Sequence, residues 1–151
     1  MRLLSPVPGT VLALSAVPDP VFAQAMVGPG VAIDPLRSSV QHVLAPADGV
    51  VAALHPHAFA LQLVGDRGVL VHLGIDTVRL AGLGFELHVV AGQTVRAGDV
   101  LLTWSPVDVA AGGLSVVCPV VAMQAAPEAV RAVVPAGTTV AAGDPLLDWT
   151  D

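Results

Sequence analysis

Nine residues of this chain occur twice in the same order and at the same spacing. Gly92, Thr94, Val95, Ala97, Gly98, Asp99, Leu101, Leu102 and Trp104 return as Gly137, Thr139, Val140, Ala142, Gly143, Asp144, Leu146, Leu147 and Trp149. An ungapped internal repeat means that one supersecondary unit is built twice. Each copy reads as a strand, a turn at Ala-Gly-Asp where glycine tolerates positive φ, and a second strand carrying Leu-Leu and a tryptophan. A fainter pair lies upstream, with Pro6, Gly9, Val11, Ala13 and Leu14 returning as Pro46, Gly49, Val51, Ala53 and Leu54. Duplicated hairpins predict a mainly β protein, an antiparallel sandwich or barrel.

The punctuation agrees. Thirteen prolines and fifteen glycines leave few windows for a stable helix, and only 126–134 and 106–111 predict short helical turns. At 151 residues the chain fits one domain, 1–151, able to bury its own core. That core must be Val, Leu and Ala, because 54% of residues are hydrophobic but only 3% are aromatic. Mean hydropathy is +0.78, yet no stretch of roughly 18 residues runs free of Gly, Pro and charge, so no spanning helix is expected. The apolar start, Met1 to Ala16, imitates a leader, but Pro6, Pro8 and Gly9 interrupt it and predict a first strand and turn instead.

Charge and missing residue types exclude several functions. The formal charge is −6 and the six basic residues are dispersed arginines, so no cationic cluster exists to neutralise nucleic-acid phosphates. A basic protein partner would be steered toward the chain instead. The paired Val-x-x-Gly-Asp hairpins resemble a lipoyl or biotinyl carrier, but that chemistry modifies a lysine and the sequence has none. The single cysteine, Cys118, excludes an internal disulfide, suits a reducing compartment and reads as a small buried hydrophobe.

The residues with chemistry gather in one stretch. His55-Pro56-His57-Ala58-Phe59-Ala60-Leu61-Gln62-Leu63 reads as a strand, 65–68 as a turn, and Val69 through Asp76 as the returning strand. Alternation puts Val69, Val71, Leu73 and Ile75 toward the core and turns Leu70, His72 and Gly74 outward. A histidine there can attack phosphorus with one ring nitrogen when a carbonyl holds the other as N–H. Gly74, with no side chain, would let a partner approach. In a regular hairpin with Val64 opposite Val69, His72 opposes Leu61 and His57 opposes Asp76. The two histidines then lie about 13 Å apart at ~3.3 Å per residue, so a bulge or a different pairing is needed to unite them.

His57-Ala58-Phe59 followed by Val71-His72-Leu73-Gly74-Ile75-Asp76-Thr77-Val78 resembles the two active-site motifs of the glucose-type enzyme IIA of the bacterial phosphoenolpyruvate-dependent sugar phosphotransferase system. The likeness continues through Val17 to Ala23, Gly30 to Pro35, Ala45 to Gly49, Gly84-Phe85 and both Val-x-x-Gly-Asp turns. It implies a flattened antiparallel sandwich and a free-standing cytoplasmic phosphotransferase with a phosphohistidine intermediate. His72 would take phosphoryl from HPr through Nε2 and pass it to a cysteine of an enzyme IIB or IIBC sugar permease, with His57 bonding the phosphoryl oxygens. Phe22, Met26, Val27, Leu70 and Val78 would ring the histidines as an apolar docking face, with Gly74 beside them and Asp19 and Asp76 meeting cations on HPr.

The same resemblance implies no required cofactor, with zinc only adventitious or at a partner interface on His57 and His72. It also implies regulatory binding of transporters or metabolic enzymes by the unphosphorylated form. Enteric members carry a threonine of the histidine relay where His55 stands, which makes His55 a relay candidate, and they begin with a flexible tail absent here. His42 and His88 read as ordinary surface residues.

A rival reading is zinc chemistry. His72-Leu73-Gly74-Ile75-Asp76 and His55-Pro56-His57 resemble the H-x-G-I-D and H-x-H ligand motifs of lysostaphin-type metallopeptidases. There the motifs come in the opposite order and far apart, which argues against a peptidase.

Overall fold

The repeated Ala-Gly-Asp turns are built alike. Gly98 and Gly143 take φ of 90° and 89°, and the following aspartate closes each turn on itself. Asp99 Oδ2 accepts the Arg96 N–H at 2.9 Å and Asp144 Oδ2 accepts that of Ala141 at 2.8 Å. In the computed structural model, which describes residues 1–150, these turns belong to two equivalent units, one nested inside the other.

The outer unit begins with β1 (Arg2–Leu4), β2 (Gly9–Ala13) and β3 (Gly30–Pro35). The inner unit follows without interruption as β4 (Gln41–Leu44), β5 (Gly49–His55), β6 (Ala58–Leu63), β7 (Arg67–His72), β8 (Phe85–Leu87), β9 (Thr94–Val95) and β10 (Val100–Trp104). The chain then completes the outer unit with β11 (Cys118–Ala122), β12 (Val130–Ala132), β13 (Thr139–Val140) and β14 (Pro145–Trp149).

Equivalent strands make equivalent pairs. One small sheet runs β1-β14-β12 and the other β4-β10-β8, while the large sheet runs β13-β2-β3-β11-β7-β6-β5-β9. The units meet at its centre, where β11 and β7 pair antiparallel through Val120 and Val71. All pairings are antiparallel and the protein is mainly β, as the duplication predicts. The opening residues form strands, and 106–111 forms a helix whose first turn is capped by Ser105 Oγ at 3.2 Å from the Asp108 N–H. In 126–134 the expected helical turn is only Pro127–Ala129, and Val130 enters a strand against Trp149. β-branched Val130 suits that pleated edge better than a continued helix.

Between the sheets lies the main core, in which Ile33, Leu61, Val69, Val71, Leu73, Leu102, Trp104 and Leu147 are almost completely buried. The Trp104 indole N–H donates to Gln41 Oε1 at 3.0 Å, so the one polar atom it buries is satisfied. A second cluster covers part of the outer face of the large sheet, formed by Leu14, Val17, Phe22, Ala32, Ile75 and Val121.

This second cluster is where the two units differ. The β2–β3 connection contains the 3₁₀ turn Leu14–Ala16 and the short helix Pro20–Ala23, which lay Leu14, Val17 and Phe22 over the sheet. The equivalent β5–β6 connection is the two-residue turn Pro56-His57. One unit therefore roofs its half of the outer face and the other leaves its half open. His72 stands at the boundary, touching Phe22 on one side and His57 on the other.

Candidate functional site

The hairpin register differs from the regular one expected and unites the histidines. Leu63 pairs with Arg67 and Ala58 with His72, so the connection is only Val64, Gly65 and Asp66. Gly65 and Asp66 take left-handed φ of 77° and 57°, conformations that glycine and aspartate tolerate better than most residues. The tighter turn slides β7 along β6 until His72 faces the start of that strand. The His57 carbonyl accepts the Leu73 N–H at 2.7 Å, and the two imidazole centroids lie 5.2 Å apart, edge to face at 64°. No bulge between these two strands is needed. His55 stacks on His57 from the far side at 5.7 Å.

β7 alternates as expected up to the histidine, with Val69 and Val71 buried and Leu70 and His72 half-buried on the other face. The strand then ends. Gly74 takes φ of 78° and Asp76 φ of 61°, which swings Ile75 out of the row it was expected to share with Val71 and into the second cluster.

That bend orients His72. Its Nδ1 lies 2.5 Å from the Gly74 carbonyl, and because a carbonyl only accepts, Nδ1 carries the proton and donates it. Nε2 keeps its lone pair. Phe22 packs its edge on the ring at a centroid distance of 5.5 Å. Burial holds the His72 pKa below the ordinary 6.5, opposed by the Gly74 carbonyl and the charges of Asp19 and Asp76. His57 is lowered too, by burial first and then by the neighbouring His72 and His55. Both rings therefore favour the neutral form at neutral pH.

The remaining expected residues divide into surface and support. Met26, Val78 and Val21, exposed at 69%, 63% and 43%, supply the apolar rim; Val21 lies in the same Val17 to Ala23 stretch as Phe22 but was not among the expected docking residues. Val27 and Leu70 are half-buried. Phe22 is buried under that rim and walls the His72 ring rather than offering a docking surface. Asp19 Oδ1 accepts the Val21 N–H at 2.8 Å and caps the short helix that carries Phe22. Asp76 is exposed.

Gly74 is buried and does not open the site to a partner. A Cβ there would lie 2.6 Å from Thr77 Cγ2 and 2.7 Å from the Ser115 carbonyl. Ser115 also accepts the Ile75 N–H at 3.0 Å. Ser115 reaches the bend from a distant part of the chain, and nothing in its local sequence signals it.

Outside the site, His88 Nε2 lies 2.7 Å and His42 Nδ1 3.4 Å from Thr103 Oγ1 on an exposed face of β10. The Cys118 thiol is fully buried and its pKa is pushed up to about 12, which leaves it unreactive. Among the described residues no three His, Cys, Asp or Glu side chains form a group able to hold a metal ion. His57 and His72 alone would leave zinc two ligands short of a tetrahedral set.

The chain matches a solved structure, the glucose permease IIA from Mycoplasma capricolum. The TM-score is 0.86 at 33% identity, over 97% of this chain and 94% of that one. The fold is thus that of a glucose-type IIA sandwich. The chain is also 42% identical over 127 residues to the PTS system glucose-specific EIIBCA component of Corynebacterium glutamicum, and 43% identical over 126 residues to a mannose-specific EIIBCA component from that species. A glucosamine-specific EIICBA component of Bacillus subtilis is 45% identical over 101 residues. These matches cover 83%, 82% and 66% of this chain but only 18%, 18% and 16% of the relatives, which are much longer.

Residues 1–128 match the family described as phosphoenolpyruvate-dependent sugar phosphotransferase system, EIIA 1, and the chain belongs to that family. It is a phosphotransferase family, which displaces the peptidase reading. Among the described residues no helix is long and apolar enough to cross a membrane.

Proposed function

We propose that this chain is a cytoplasmic phosphocarrier that accepts a phosphoryl group on His72 Nε2 from the phosphohistidine of HPr and donates it to a cysteine of an enzyme IIB domain. The observation that carries this reading is the bond from His72 Nδ1–H to the Gly74 carbonyl, which leaves Nε2 unprotonated beside a second imidazole. The lone pair of Nε2 forms the new P–N bond as the donor's P–N bond breaks, and the donor imidazole keeps that electron pair. His72 Nδ1–H stays on Gly74, where the carbonyl stabilises the positive charge the ring gains.

The phosphoryl group in flight is loosely bonded, so the protein contributes mainly position and charge stabilisation. His57 would donate a ring N–H to a phosphoryl oxygen and His55, stacked behind it, would steady that ring. Neutral imidazoles suit both tasks. Met26, Val78 and Val21, with half-buried Val27 and Leu70, would form the partner-facing surface. Asp19 and Asp76 would meet a basic carrier there.

Enzyme IIB as acceptor is supported by the relatives, whose names combine EIIB, EIIC and EIIA. Those names also differ in sugar, among glucose, mannose and glucosamine, at similar identity to this chain. Sugar choice therefore belongs to the membrane component. The unphosphorylated rim is available for regulatory partners, and no metal is required.

The test is incubation with phosphoenolpyruvate, enzyme I and HPr, followed by intact mass. One acid-labile phosphoryl group should appear, with chelator present or absent. No labelling of the folded protein, or labelling that depends on zinc, would overturn the proposal.

A further inference from the structure

Among the described residues the buried polar side chains are Ser5, Gln41, Thr77 and Ser105. Ser5 closes a local turn onto the Val7 carbonyl, Gln41 receives the Trp104 indole, and Ser105 caps a helix. Thr77, 1% exposed, serves none of these purposes. Its Oγ1 donates to the Leu73 carbonyl at 2.8 Å, and its Cγ2 methyl fills the space a Gly74 side chain would need.

Valine has nearly the same shape and would fill this site equally well, so packing alone does not account for the hydroxyl. The backbone does. β7 ends at His72, and the Leu73 carbonyl belongs to the peptide unit just before Gly74. The next unit carries the Gly74 carbonyl that holds His72, and its N–H, from Ile75, donates to Ser115. Glycine rotates more freely than any other residue. A carbonyl attached to glycine points reliably in one direction only when the peptide units on both sides are tied.

We propose that Thr77 is a positioning residue for the His72 imidazole. Its hydroxyl ties the peptide unit before Gly74 as the Ser115 carbonyl ties the one after. Together they aim the Gly74 carbonyl at Nδ1 and keep the proton off Nε2. The consequence for phosphoryl transfer rests on the function proposed above, whereas the consequence for the tautomer does not.

The experiment compares Thr77→Val, which removes only the hydroxyl, with Thr77→Ser, which retains it. Ring ¹⁵N shifts of His72, recorded on folded unphosphorylated protein above its titration, report the tautomer directly. Wild type and Thr77→Ser should show the proton on Nδ1, and Thr77→Val a mixture of both tautomers. Phosphoryl acceptance from HPr should fall roughly tenfold to a hundredfold in Thr77→Val and recover in Thr77→Ser. A folded Thr77→Val protein with the wild-type tautomer would overturn the assignment, as would a Thr77→Ser protein that loses it. If Thr77→Val does not fold, Thr77→Ala takes its place with the same outcomes. Should no form of the protein, wild type included, accept a phosphoryl group, the functional reading fails and the tautomer alone decides the role of Thr77.

Discussion

The His57 carbonyl accepts the Leu73 N–H one step beyond the rung that pairs Ala58 with His72. Main chain, rather than any side-chain contact, therefore brings the two imidazoles within 5.2 Å. Substituting either ring leaves that backbone bond in place. Variants at residues 57 and 72 should report chemistry more than folding.

His72→Ala should abolish labelling by phospho-HPr while preserving the fold, because the P–N bond has no other designated nitrogen. Circular dichroism and intact mass together check this. Persistent labelling of a folded variant would remove His72 from its role.

His57→Gln keeps an amide donor near the phosphoryl position. Acceptance should slow only modestly, since the phosphohistidine donor is energetic, whereas donation to the enzyme IIB cysteine should fall much further as charge must be balanced while the bond breaks. Separate measurement of the two half-reactions decides it; donation at the wild-type rate would end this division of labour.

Acidification should destabilise the protein through the histidine pair. Folded pKa values below the ordinary 6.5 mean that the unfolded chain binds more protons over that window. Stability from the neutral pair is fully present above about pH 6.5 and is lost as pH falls through the lower folded values. Thermal scans from pH 7 to pH 5 should show a falling Tm, and a His57→Gln, His72→Gln double variant should show a shallower fall. An unchanged slope would dissociate the pair from acid sensitivity.

Gly74→Ala should cost about 2 kcal/mol or more, from left-handed strain together with the contacts to Thr77 and Ser115. Transfer activity should fall beyond what the unfolded fraction explains, because the carbonyl facing His72 Nδ1 must move. Denaturant titration with wild-type stability would show that the bend accommodates a side chain.

The duplication was legible because its turns have a local chemistry: a left-handed glycine and an aspartate that bonds the turn it closes. Alternation correctly oriented β7 through His72. The hairpin register was not legible, since several connections suit the same residues and the choice depends on Gly65 and Asp66 both adopting positive φ. Beyond Gly74, periodicity ceases to apply and misplaces Ile75. The support around the bend was hidden for a different reason: Ser115 acts through its backbone carbonyl, which carries no residue signature, and the Thr77 hydroxyl finds the Leu73 carbonyl only once the chain has bent at Gly74. Phe22 lay in a recognised motif, but only the path of the β2–β3 connection decides that it lies under the rim while Val21 lies on it.

Nesting one unit inside the other also orders events in time. The unit holding both histidines is continuous from Gln41 to Trp104, so even its longest rung, Gln41 with Trp104, closes a much shorter loop than Arg2 with Asp148. The enclosing unit must bring Arg2 against Asp148, a closure that carries the larger entropy cost and slows contact formation. Pulse-labelled hydrogen exchange during refolding should protect amides of β6 and β7 before those of β1 and β14, and the reverse sequence would contradict this order. The hairpin that carries His72 should thus be an early part of the molecule, assembled before Arg2 meets Asp148.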